Sequence, residues 1–157
     1  MTTSTASKTR SPRSVAATRP LWTGAGVTAF AAVLCPRLNA VMHQDQQIWE
    51  LDREAAVLIP VIVLLTLCLF GLVGLWAWNA PRNRPAVASV VCGVLAIVGI
   101  VGFWLSAPII LGGLALTLGV EGLRRAGVQG RRGLAITGTA LGTVGALAGA
   151  AIWIANV

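Results

Sequence analysis

PAVASVVCGVLAIVGIVGFWLSAPIILGGLALTLGV, residues 85 to 120, runs for 36 residues without a charged side chain. One α-helix of that length would extend about 54 Å, while the hydrocarbon core of a bilayer is about 30 Å thick. The stretch is too long for one crossing and must fold back on itself. Its break is legible at Ser106-Ala107-Pro108, where a hydroxyl residue suited to capping precedes a proline in the first helical turn. That divides it into spans near residues 86–105 and 107–122.

Working outward, charge is also absent between Glu54 and Arg82 and from Gly133 to the C-terminus, and a shorter apolar run lies between Pro20 and Pro36. The full set of expected spans is 21–36, 55–79, 86–105, 107–122 and 134–155. Hydrophobic residues make up 56% of the 157 and the mean hydropathy is +0.80, above the range of ordinary soluble domains. In lipid every backbone polar group must be satisfied within its own segment, and these continuous apolar runs lack the alternation of barrel strands. The fold class is therefore all-α, an integral membrane bundle of five transmembrane helices, with four spans and a re-entrant hairpin at Pro108 as the alternative. Pro20, Pro36, Pro81, Pro85 and Pro108 fall at span ends, whereas Pro60 lies within a helical pattern and predicts a kink or a local helix start.

Topology follows from the basic residues of the short connections. The N-terminal tail carries Lys8, Arg10, Arg13 and Arg19, the second connection Arg82 and Arg84, and the fourth Arg124, Arg125, Arg131 and Arg132. By the positive-inside bias these belong in the cytoplasm, which places the N-terminus inside and the C-terminus outside. The first connection sets Arg37 and Arg53 against Asp45, Glu50, Asp52 and Glu54 and belongs outside. Tryptophan, which favours the membrane interface, gives the same answer: Trp22, Trp76 and Trp78 at inner ends, Trp49, Trp104 and Trp153 at outer ends. The expected organisation is a disordered basic tail over 1–19, a two-helix membrane hairpin with an outer acidic loop over 20–80, and a three-helix membrane domain over 81–157. The acid-free tail also has the composition of an organelle transit peptide; a cytoplasmic tail drawn to anionic lipid is the expectation adopted.

Small residues recur at helical spacing. Gly138, Gly142, Gly145 and Gly149 share one face of the last span, and Ser89 with Gly93 and Gly112 with Gly119 repeat the pattern. Such faces let helices approach closely in lipid, where tails offer no hydrophobic drive to association. They serve either packing within the chain or contact with another membrane subunit or a second copy. The segment RRAGVQGRRG, residues 124–133, reads as a flexible inner loop whose Arg124, Arg125, Arg131 and Arg132 could hold an anionic lipid headgroup. It lacks the Gly-Lys-Ser/Thr ending of a phosphate-binding loop. Glu121 precedes Arg124 and Arg125 by three and four residues, a spacing for helical ion pairing.

Groups that carry chemistry are few. His43 is the single histidine and supplies one ligand beside Asp45, too little for a metal site. Cys35, Cys68 and Cys92 have no metal-ligand spacing, and Leu34 is too large for the residue before a lipidated cysteine. No expected span holds a charged residue and no Ser or Cys has a nearby His, so hydrolase, haem and proton-pump chemistry lose their usual groups. A pI near 11.4 would suggest nucleic acid in a soluble protein, but flanking positive charge already accounts for it. Neither a cofactor, a metal nor a nucleic acid partner is expected, and the chain is read as not an enzyme.

From Ala86 to Ile154 the order AVASVVCGVLAIVGI, PIILGGLALTLGVEGLRRAG, GRRGLAITGTALGTVGAL resembles a family of small, mainly actinobacterial multi-pass membrane domains, the domain of unknown function 4190 family. Its most specific part is Gly113 to Gly119, the arginine segment, then Gly-Leu-Ala-Ile-Thr-Gly with Leu141-Gly142 after it. The resemblance implies a bacterial cytoplasmic-membrane location and carries no activity. The functional expectation is a non-catalytic accessory or scaffold subunit acting through small-residue helix faces, with membrane lipids and other integral membrane subunits, or itself, as partners. A small passive transporter, pore or lipid-handling protein is the alternative.

Overall fold

The computed structural model describes residues 15–43, 53–100 and 106–155. After a short turn at Val15–Thr18, these form five helices: α1 (Arg19–His43), α2 (Arg53–Asn79), α3 (Arg84–Val98), α4 (Ala107–Gln129) and α5 (Arg132–Ala155). Among the described residues there is no strand. Four of the five, all but α3, are long and apolar enough to cross a membrane. The chain is a multi-pass helical membrane bundle.

Each end has a local cause. Proline at position 85 sits in the first turn of α3 and Pro108 in that of α4, where a missing N–H removes no helical bond. Ala80 ends α2 in extended backbone (φ −78°, ψ 150°) because the ring of Pro81 disfavours the helical region for the residue before it. Arg82 and Asn83 then both turn left-handed, at φ 59° and 50°. Ser106 was expected to cap α4 through its hydroxyl; instead Oγ donates to the Ala32 carbonyl of α1 at 3.0 Å, and the Ser106 carbonyl accepts the N–H groups of Ile109 and Ile110.

Several expected boundaries are corrected. α1 passes through Pro36 and continues to His43, and α2 begins at Arg53, so Pro60 is interior rather than a start. The departure from α-helical bonding in α2 lies further on, in a π-helical turn at Phe70–Gly74. α4 extends seven residues beyond the expected 122 to Gln129, so the arginine segment is not a loop; the turn is only Gly130 (φ 72°) and Arg131 (φ 65°). Arginine is a good helix former, and the Glu121–Arg125 pair at 2.7 Å supports the added turns. The 15 residues of α3 span about 22 Å. Residues 101–105, Trp49, Trp104 and the acidic positions 45, 50 and 52 lie outside the described residues, as does the tail before Val15.

The bundle has a tightly interlocked part and a looser one. α3, α4 and α5 pack most extensively on one another. α3 and α5 run parallel, with Ser89 beside Gly138 and Ala96 beside Gly145, while α4 runs against both. α1 lies antiparallel to α4, with Gly24 against Thr117 and Thr28 against Gly113. α2 packs mainly on α1, and only 17% of its most apolar window is buried. One buried cluster joins Leu21, Phe70, Trp78, Leu114 and Leu118 near one end; a second joins Ala32, Ile62, Ile109 and Ile110 near the other.

Candidate functional site

The small residues singled out from sequence all sit in seams between α3, α4 and α5. Gly138, Gly142, Gly145, Gly149, Ser89, Gly93, Gly112 and Gly119 are buried, each facing another helix of the same chain. A Cβ added at Gly112 would lie 2.7 Å from the Gly142 carbonyl oxygen and the Ala146 nitrogen; one at Gly142 would lie 2.8 Å from the Gly112 carbonyl. Backbone therefore touches backbone along α4 and α5. Gly93 meets Leu141 and Gly142, Gly119 meets Thr139, and Gly149 meets Pro108. These faces are covered by the chain itself.

Five hydroxyls inside the bundle point back to their own helices. Thr66 donates to the Ile62 carbonyl, Thr117 to Gly113, Thr139 to Ala135 and Thr143 to Thr139, each at 2.7–2.9 Å, and Ser89 donates to Ala86. A donor satisfied one turn back is not offered to a passing solute. Among the described residues no group of three His, Cys, Asp or Glu could hold a metal ion.

Polar chemistry concentrates at one end. Arg19, Arg82, Arg84, Arg124, Arg125, Arg131 and Arg132 gather there, because Trp78 at the end of α2 donates to Ala17 at 3.1 Å and Asn83 reaches the end of α4. Arg37, Arg53 and Glu54 lie at the opposite end, near where Asn39 Nδ2 donates to the Trp153 carbonyl at 2.6 Å. The four arginines grouped as one lipid contact are divided by the structure. Arg125 turns inward: Nε donates to Glu121 Oε1 at 2.7 Å, Nη2 to the Trp78 carbonyl at 2.7 Å and Nη1 to the Ala80 carbonyl at 3.4 Å, with the guanidinium over the Trp78 ring. It closes the carbonyl end of α2, a structural duty that burial of its side chain fits. Arg124, Arg131 and Arg132 remain exposed.

Two residues at this rim were missed in sequence. Asn83 is fully buried; its Nδ2 donates to the Gly122 and Gly130 carbonyls at 3.1 and 2.7 Å, and its N–H donates to Gln129 Oε1 at 2.7 Å. Its signal was available in Pro81-Arg-Asn-Arg-Pro85, since asparagine between two prolines suits a left-handed turn. Arg84 is the other. Its guanidinium lies 5.3 Å from the centre of the Trp76 ring, and it shares with Trp76 and Arg131 the mouth of a cleft of about 350 Å³ walled by α2 and α3.

No protein-family model, curated protein or solved structure matches this chain.

Proposed function

We propose that the protein is a non-catalytic accessory subunit of a bacterial cytoplasmic-membrane complex, inserted with its basic end inside and its C-terminus outside, and that its partner docks along α2. The small-residue faces are engaged within α3–α5, so a partner needs another surface. The observation that carries the reading is the one-sided packing of α2, the most apolar of the four long helices, which rests mainly on α1 and leaves Leu64 and Leu72 exposed. The distribution of basic residues supports the orientation. A pore reading has less support, because the interior hydroxyls of Thr66, Thr117, Thr139 and Thr143 are bonded to their own helices.

The test is site-specific photocrosslinking in native membranes, with the probe at Leu64 or Leu72 on α2 and at Val144 on the outer face of α5. A discrete protein adduct from the α2 positions, absent from Val144 and competed away by excess unlabelled chain, is expected. Lipid adducts alone from all three positions overturn the reading.

A further inference from the structure

The basic rim has an electrostatic asymmetry that the fold leaves uncompensated. α3 and α5 are parallel neighbours, so their N-termini, each carrying a partial positive charge, open at the same end. Neither has an acidic residue in its first turn, and Glu121, the carboxylate of α4, is already engaged by Arg125. Arg84 begins α3 and Arg131 precedes α5, which adds two full charges to the two dipole ends. Among the described residues neither guanidinium meets a carboxylate or donates a hydrogen bond to the protein; Arg84 rests on the Trp76 ring instead. Arg131 holds a left-handed backbone conformation at φ 65°, one that side chains other than glycine rarely adopt.

Below these two arginines lies an apolar cleft. Val73 of α2 and Val87 and Val91 of α3 form its walls, and its volume of about 350 Å³ falls at the lower end of the range for ligand sites. That suits part of one acyl chain with the remainder in the bilayer. Trp76, more than half exposed, marks the interfacial level where a headgroup sits. From this arrangement we infer that the α2–α3 cleft binds one anionic phospholipid, its phosphate between Arg84 and Arg131 and an acyl chain against Val87 and Val91. Paired guanidinium groups suit phosphate oxygens, which accept bidentate hydrogen bonds. Because acyl chains gain little by leaving other acyl chains, the apolar wall fixes position while the headgroup charge provides selectivity. The site does not depend on a partner along α2.

The full chain, purified in mild detergent, can be titrated with dioleoyl phosphatidylglycerol or dioleoyl phosphatidylcholine and read by native mass spectrometry. The expected result is one retained phosphatidylglycerol with at least about tenfold preference over phosphatidylcholine. R84Q/R131Q should abolish the preference, whereas R124Q/R132Q, equal in charge change at exposed positions off the cleft, should keep it. V87W/V91W, at partly exposed positions, should lower retention by filling the cleft with both arginines intact. Circular dichroism and a single elution peak establish that each variant is folded. Equal retention of the two lipids by the native chain overturns the inference. So does equal loss in R84Q/R131Q and R124Q/R132Q, full displacement by inorganic phosphate, or unchanged retention in V87W/V91W.

Discussion

Arg125 Nη2 donates to the Trp78 carbonyl at 2.7 Å, binding the last turn of the loosely held α2 to the interlocked helices α3–α5. The same guanidinium is fixed by Glu121 at 2.7 Å, so a surface ion pair expected from i,i+4 spacing acts as the support for a tertiary clamp. Both side chains are largely buried, which removes much of the solvent screening that weakens exposed pairs.

Arg125→Ala should therefore destabilise the bundle by about 2–3 kcal/mol, the range for lost hydrogen bonds to a charged group with acceptors left behind. Arg125→Lys should recover only part of this, because one ammonium cannot reproduce the planar fork. Glu121→Gln should cost less than Arg125→Ala, since the contacts to Trp78 and Ala80 survive. Thermal unfolding in detergent, followed by tryptophan fluorescence, gives the ranking; an Arg125→Ala variant as stable as the native chain would refute the clamp.

Asn83 joins the α2–α3 connection to α4 at Gly122 and to the α4–α5 turn at Gly130 while holding φ at 50°. Asn83→Gly keeps that backbone conformation open and loses the Nδ2 bonds, at about 1–2 kcal/mol. Asn83→Ala loses the bonds and adds the left-handed penalty, so it should be worse by about 1 kcal/mol more. Asn83→Asp, which turns a carboxylate toward two carbonyls, should be the least stable of the three. Chemical denaturation in mixed micelles distinguishes these ranks.

Along the α4–α5 seam, Gly112→Ala and Gly142→Ala push a methyl against facing backbone, at about 1–3 kcal/mol each. Gly26→Ala and Gly71→Ala face open space, and alanine's better helix propensity should make them neutral or slightly stabilising. Equal losses at all four positions in a heat-challenge assay would show that the seam is not the sensitive contact.

The alternation of five helices also predicts labelling. In a variant with Cys35, Cys68 and Cys92 replaced by alanine, Val128→Cys and Met42→Cys place exposed thiols at opposite ends. Sealed inside-out vesicles should expose the first and right-side-out vesicles the second to an impermeant maleimide. Reaction of both from one side would contradict the arrangement.

Much of the fold is legible in the sequence. The uncharged run around Ser106 required a fold-back, and the turn is there, because no bilayer accommodates a helix of that length as one crossing. Boundaries were less legible: Pro36 marks a composition change but lies inside α1, and the arginine segment continues α4. Proline and arginine report local preference, while the end of a helix is settled by whether packing and capping partners wait beyond it.

The site was divided in the same way. Sequence by itself determined that this chain is a helical membrane protein, that most of its basic residues belong on one side, and that it carries backbone surfaces able to meet closely. Each depends on composition and spacing along one strand of chain. Only the tertiary structure decided that those close surfaces are used within α3–α5, that Arg125 is a buried clamp, and that Arg84 and Arg131, 47 positions apart in sequence, share one cleft. These outcomes depend on which helices lie parallel and at what register, and no local spacing records that.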